Sequence, residues 1–124
     1  MIAITASNTF EQMFNYRKPT KAAPAVSEAQ AAQLADLFRL LGDPTRLRIV
    51  IACLDEPISV GDMAARLNLS LSLVSHHLRL LRAARIVRAE RQGKQVFYSA
   101  ADDHIRGLVT DMVDHITEPG AEEH

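Results

Sequence analysis

The sequence predicts a mainly α domain that carries one β-hairpin, and three observations support this. Apolar residues recur at i, i+3 and i+4 in successive runs between Leu34 and Ile116, the spacing that gathers them on one face of a helix. Several of these runs are preceded by a serine or aspartate placed as a helix cap. Only Ile86–Glu90 and Gln95–Ser99 read as β-prone, on either side of Arg91-Gln92-Gly93-Lys94. The composition agrees: 48% hydrophobic and 23% charged residues in a chain of 124 describe one domain with a real core, and exclude a disordered chain or an extended repeat array. No apolar run approaches the ~20 residues needed to cross a bilayer. Residues Met1 to Phe14 lack the basic flank and long apolar stretch of a signal peptide, so the expected setting is cytoplasmic, with no membrane partner.

Taken in order, residues 1–26 read as an N-terminal extension: Phe10, Met13 and Phe14 suggest a short helical turn, and Pro19 and Pro24 a linker. The main domain is expected over residues 27–118, followed by an acidic tail over 119–124. Ser27 with Gln30 at N3 forms a capping box, opening a first core helix through Leu34, Phe38 and Leu41 that Gly42 ends. Asp43-Pro44 is a cap followed by proline at N1, where its missing N–H costs nothing. The helix it opens runs through Leu47, Val50, Ile51 and Leu54 towards Pro57. Ser59 caps a short helix over Val60–Leu67 whose inward residues are Met63, Ala64 and Leu67, and Asn68 suits a left-handed stop. About three residues later Leu71, Val74, Leu78 and Leu81 begin a second helix, so the pair forms a helix-turn-helix whose second helix is the reader. The hairpin follows, with Gly93 able to take positive φ in its turn. A last helix opens near Asp102 and carries Ile105, Leu108, Val109, Met112, Val113 and Ile116 before Pro119-Gly120 stops it.

Three helices with a trailing hairpin make the winged helix-turn-helix arrangement. The stretches Leu41-Gly42-Asp43-Pro44-Thr45-Arg46-Leu47-Arg48-Ile49, Val74-Ser75-His76-His77-Leu78 and Arg91-Gln92-Gly93-Lys94 resemble, in that order, the ArsR/SmtB family of bacterial metal-sensing repressors, over residues 34–118. The resemblance implies a homodimer joined through its terminal helices, with operator double-stranded DNA as partner. In a helix-turn-helix the N-terminal part of the second helix meets the major groove, so Ser70, Ser72, Ser75 and His76 are the polar side chains placed at phosphates or base edges. Ser70 is equally a helix cap, and the two roles coexist. Arg79 and Arg82 lie further along, and Arg88, Arg91 and Lys94 decorate the hairpin; these supply affinity and salt dependence rather than base reading. The sequence departs from the family's pattern at Leu71 and Leu73, where the resemblance implies polar side chains. A leucine neither donates nor accepts at a base edge, although it can contact a thymine methyl. His76 and His77 are adjacent, about 100° apart on the helix, and cannot serve one ligand from one turn. His76 is expected to face DNA, and His77 to pack or hydrogen-bond within the fold.

On the last helix Asp102, His104, His115 and Glu118 follow the pattern Asp-x-His-x10-His-x2-Glu. Eleven residues is almost three helical turns, so His104 and His115 project from nearly one edge, which Glu118 shares. The same spacing spans about 16 Å of helix, while metal–ligand bonds are about 2 Å, so one helix cannot gather all four groups around one ion. Two helices packed antiparallel about a two-fold axis would join Asp102 and His104 of one copy to His115 and Glu118 of the other. Taken alone, each residue also has a plainer role: Asp102 as a helix cap, Glu118 as a solvent-facing acid, the histidines as exposed side chains. The resemblance implies these four as the ligands of an interhelical zinc site. Asp111 lies on the same edge but two turns from either end, and is set aside. Two imidazoles and two carboxylates suit tetrahedral Zn(II), with Co(II) or Ni(II) as alternatives, whereas Cu(I), Cd(II) and As(III) call for thiolates. The family's cysteine ligands on the helix that here begins at Ser59 are missing. Cys53, the one cysteine, falls in an apolar helix and reads as a buried structural residue.

The formal net charge of −1 conceals a division along the chain: residues 39–94 carry a basic surplus of five and residues 101–124 an acidic surplus of six. Near-neutrality is therefore compatible with a polyanionic partner. The expected function is transcriptional repression: operator DNA bound by the metal-free homodimer and released when Zn(II) is held between C-terminal helices. The alternative is a dimeric repressor of the same family that answers another metal or no metal. A metal-dependent hydrolase is disfavoured, because four protein ligands leave no open position for an activated water, and no nucleophile–base pair is apparent; the protein is not expected to be an enzyme.

Overall fold

A computed structural model describes residues 24–119. The expected turn around Phe10, Met13 and Phe14, and all but Pro119 of the acidic tail, lie outside the described residues. The chain divides into two units at Ala31–Ala32, inside helix α1 (Glu28–Leu41). That helix opens with the capping box its sequence encodes: the Gln30 N–H donates to Ser27 Oγ (3.1 Å) and the Ser27 N–H to Gln30 Oε1 (2.9 Å). Its assignment to the core is corrected by the structure. No residue of α1 is buried. Leu34 and Phe38 are 49% and 52% exposed, and only Leu37, Leu40 and Leu41 rest partly against the core. Helical periodicity reports an apolar face without reporting what covers it.

Helix α2 (Pro44–Ala52) starts from Asp43, whose Oδ2 accepts the Arg46 N–H (3.0 Å). It ends two residues before Leu54, because the N–H groups of Cys53 and Leu54 turn to Val50 O and Ile51 O in a tightened last turn. Leu54 is buried nonetheless. A two-residue strand β1 (Ile58–Ser59) then pairs antiparallel with β3 (Gln95–Ala100). The expected two-stranded hairpin is thus a three-stranded sheet of order β1-β3-β2, with β2 spanning Val87–Gln92. Two residues are too few to show alternation, and Ser59 carries a second signal that masks the first: its Oγ accepts the Asp62 N–H (3.2 Å) and caps α3 (Val60–Leu67).

Helices α3 and α4 (Leu71–Ala83) are joined by Asn68-Leu69-Ser70. Asn68 is left-handed (φ 58°). The Leu69 N–H donates to Ala64 O (2.9 Å) and the Asn68 N–H to Ala65 O (3.3 Å), the pair of bonds that closes a Schellman motif. The same motif ends α4, where Ile86 N–H donates to Leu81 O (2.9 Å) and Arg85 N–H to Arg82 O (3.0 Å). Here the left-handed position (φ 61°) belongs to Arg85, a residue with no side-chain advantage in that region. Leu81 and Ile86, the two apolar positions of the motif, are fully buried.

Strands β2 and β3 pair from Val87↔Ala100 to Gln92↔Gln95. The loop is therefore Gly93-Lys94 alone, shorter than the four residues expected, since Arg91 and Gln92 remain in the ladder. Gly93 (φ 65°) is the only loop residue with positive φ, as in a type II′ turn. Helix α5 (Asp103–Thr117) follows from its cap Asp102, whose Oδ1 accepts the Ile105 N–H (3.0 Å). The core gathers Ile49 and Val50 of α2, Met63 of α3, Leu78 and Leu81 of α4 and Val109 of α5. Cys53 is fully buried as expected; burial pushes its thiol up to about 11. Its Sγ sits 3.3 Å from Ile49 O. Among the described residues no helix is long and apolar enough to cross a membrane.

His77 turns from the exposed face of α4 towards the start of α2. It is half-buried, and its Nδ1 is enclosed with no hydrogen-bond partner. The packing role expected of it is met; the hydrogen bond at Nδ1 is not. Burial, and then the charge of Arg46, hold its pKa below the usual imidazole value, against the opposing pull of Asp43.

Two stability predictions result. Replacing Arg85 by glycine removes the left-handed cost of an L side chain, part of which glycine returns through its freer unfolded state. Denaturant unfolding of Arg85→Gly should show a gain of about 0.5–1 kcal/mol. His77 is harder to protonate folded than unfolded, so its contribution is fully present above the usual imidazole pKa of about 6.5 and is lost as the pH falls below it. Unfolding followed between about pH 7.5 and 5.5 should show stability declining with acid, and His77→Gln should flatten that decline.

Candidate nucleic-acid interface and metal site

The first turn of α4 is held by Ser70, whose Oγ accepts the Leu73 N–H (3.1 Å). Ser70 is therefore a cap, and it remains exposed. Beyond it Ser72, His76 and Arg79 stand on the side of α4 opposite the buried Val74, Leu78 and Leu81, with Ser75, half-buried, and Arg82 on one flank. This is the arrangement expected of a reading helix: an apolar face locked into the core and short polar side chains outward. Leu71 and Leu73 join that exterior at 56% and 39% exposure.

On the wing, Arg88, Arg91 and Lys94 are all exposed but not equivalent. Arg88 Nε donates across the strands to Ser99 Oγ (3.2 Å), and Arg91 Nε to Gly93 O at the tip (3.2 Å). Alternation places Arg88 with Glu90 on one face and Arg91 with Ala89 and Val87 on the other. Lys94 occupies the turn itself. The wing thus presents its cations at the tip, and Glu90 dilutes them nearer the body.

Along α5, Asp102 and His104 lie at the start, lining a cavity of about 390 Å³ with Leu34, Leu37, Phe38 and Leu108. His115 is in the last turn, and Glu118 follows as the cap. Glu118 is extended (ψ 140°), yet its φ of −64° and the bond from its N–H to Asp114 O (3.1 Å) keep its Cβ on the helical edge. All four side chains are exposed. Asp102 and His104 line one cavity at the start of α5 while His115 and Glu118 lie at its end, so the two pairs are apart. Among the described residues no three His, Cys, Asp or Glu side chains are grouped closely enough to hold an ion. A donor set of two imidazoles and two carboxylates fits a borderline divalent ion, and their exposure fits completion by a second chain.

Between the two pairs runs an apolar groove of about 380 Å³, formed by Phe38, Leu41, Leu47 and Ile51 on one side and Leu108, Met112 and Ile116 on the other. Met112 and Ile116 are 53% and 68% exposed. One connection escaped the sequence reading. Arg106 Nε donates to Leu54 O (3.1 Å) while its Nη1 pairs with Asp103 (2.9 Å), pinning the first turn of α5 to the end of α2. Only the i, i+3 spacing of Asp103 and Arg106 hinted at it; the carbonyl partner lies 52 residues away.

Residues 43–89, from the cap of α2 into β2, match the family model described as bacterial regulatory protein, arsR family. The chain is 44% identical over 89 residues to the transcriptional repressor SmtB homolog of Synechocystis sp., covering 72% of this chain and 67% of that protein. Its fold is similar to that of the cadmium metal-sensor CmtR from Mycobacterium tuberculosis (45% identity, TM-score 0.58, 64% of this chain and 82% of that one). It is also similar to HlyU from Vibrio cholerae (27% identity, TM-score 0.67, 73% of this chain and 98% of that one). An exposed reading helix capped by Ser70, a basic-tipped wing and this sequence likeness converge: the chain belongs to the ArsR/SmtB family of DNA-binding transcriptional repressors.

Proposed function

We propose that the protein is a homodimeric repressor whose operator binding is relieved by Zn(II) held between the α5 helices of two copies. The observation that carries this reading is the layout of α5: two exposed ligand pairs, one at each end, flank an apolar groove that the described residues leave open. Packing two such helices antiparallel covers Met112 and Ile116 and joins Asp102 and His104 of one copy to His115 and Glu118 of the other. The ion supplies a divalent charge that draws two carboxylates and two imidazoles to one point. The protein's own part is to transmit that demand. Arg106 ties α5 to the end of α2, and α2 packs against α3 and α4, so a change in how the α5 helices meet reorients the reading helices. DNA and metal then oppose one another by the same free energy, typically ~1–3 kcal/mol.

On the DNA side, Ser72, Ser75 and His76 face base edges and phosphates, Ser70 positions the first turn, and Arg79, Arg82, Arg91 and Lys94 pair with phosphates. A second reading keeps the dimeric repressor and changes the signal. Asp102 Oδ1 accepts the Ile105 N–H, and its other oxygen suffices for a one-oxygen ligand bond, so this donor set accepts more than one borderline divalent ion. Cobalt and nickel fit the same donors.

Two measurements test this. Replacing His104 and His115 together by alanine should leave operator affinity within about twofold and abolish zinc-induced release, which in the parent should amount to roughly 5–150-fold. Unchanged release in the double variant would exclude these ligands. Arg91→Ala and Lys94→Ala should weaken all duplexes alike, each lowering the slope of log K against log salt by about 0.9.

A further inference from the structure

We propose that Leu71 and Leu73 are specificity-determining residues that read thymine in the operator through its C5-methyl group. This inference rests on the DNA-binding reading above. Leaving aside Val26, the exposed large apolar side chains of the described residues fall into two sets. Leu34, Phe38, Ile51, Leu108, Met112 and Ile116 line the groove and cavity beside α5, the face that the dimer contact proposed above would cover. The remaining set lies on α4: Leu71 and Leu73 in its first turn, and Leu80 two turns beyond Leu73 on the same edge. Leu71 is 56% exposed in the turn that Ser70 caps.

What covers these leucines must tolerate their surroundings. Helix α4 contains no acidic residue. Arg79 and Arg82 are exposed on it, and the ion pairs among the described residues involve neither. Ser70, Ser72 and Ser75 interleave with the leucines, and such short side chains allow close approach. An apolar pair in a hydroxyl-lined first turn, on a helix whose arginines lie further along, suits a polyanion that carries small apolar groups, and duplex DNA has these in its major groove. Of the four bases only thymine shows a methyl there. The first turn of a reading helix is the part that meets base edges. Leu71 and Leu73 project from opposite flanks of α4, so they are placed over different base pairs, with Ser72 between them. Thymine is thereby chosen by contact area rather than by hydrogen bonds. A cytosine or guanine at those positions would leave the leucine against a polar base edge.

The full-length protein is first used to select its preferred duplexes from a random double-stranded pool. Each thymine of the selected site is then replaced singly by deoxyuridine, which removes only the methyl. For the parent protein, deoxyuridine at particular positions of each half-site should weaken binding about three- to fivefold, the worth of one buried methyl, and be neutral elsewhere. Leu71→Ser should lose that sensitivity at one position and Leu73→Ser at another, while Leu71→Met, which keeps an apolar contact, should retain it. Neutral deoxyuridine at every position would overturn the proposal, as would an undiminished penalty in the serine variants. A change in the oligomeric mass of either serine variant without DNA, read by sedimentation, would assign the leucines to a protein contact and also overturn it. Selection that enriches no sequence would instead defeat the DNA-binding reading itself.

Discussion

The last turn of a helix leaves carbonyls that its own residues cannot satisfy. In this fold the end of α2 resolves that debt in a way that determines what the rest of the chain can do. Cys53 O accepts the N–H of Ala100 at the end of β3, and Leu54 O accepts Arg106 Nε from α5. The sheet and the C-terminal helix are therefore both fastened to one turn of backbone, beside the fully buried Cys53. The helix-turn-helix, the wing and α5, which carries the candidate ligands, all hang from elements that meet at that turn.

Much of this was legible in the sequence, because local signals and global fold agree. Ser27, Asp43, Ser59, Ser70 and Asp102 all cap the helices that follow them. Asn68 and Gly93 occupy the left-handed positions that their residue types suit. What escaped is what depends on distant partners. Strand β1 exists only because Tyr98 and Phe97 lie opposite Ile58 and Ser59, and no local pattern encodes that pairing. The left-handed Arg85 is invisible for the opposite reason: arginine gives no hint of the conformation, which is imposed by burying Leu81 and Ile86 together. At the candidate sites the sequence identified residue types and helical edges. It could not show that Asp102 spends one oxygen on its own helix, or that Arg88 is engaged by Ser99.

Exposed apolar residues distinguish the two candidate surfaces. Alongside α5 they form a continuous groove among acidic side chains, the composition of a contact that excludes water while leaving carboxylates at its rim. On α4 they are isolated leucines among serines and arginines. The same residue type thus stands in two different settings. The division of charge along the chain follows the same line, so a net charge of −1 describes neither surface.

Ser59 has a further mechanical meaning. One residue is at once a rung of the sheet, opposite Phe97, and the cap that starts α3. The wing and the helix-turn-helix therefore share an atom-level hinge pin and cannot swing against each other without breaking either a ladder or a cap. Stiffness of this kind makes the wing and the helix-turn-helix one rigid unit, so that any reorientation carries both together.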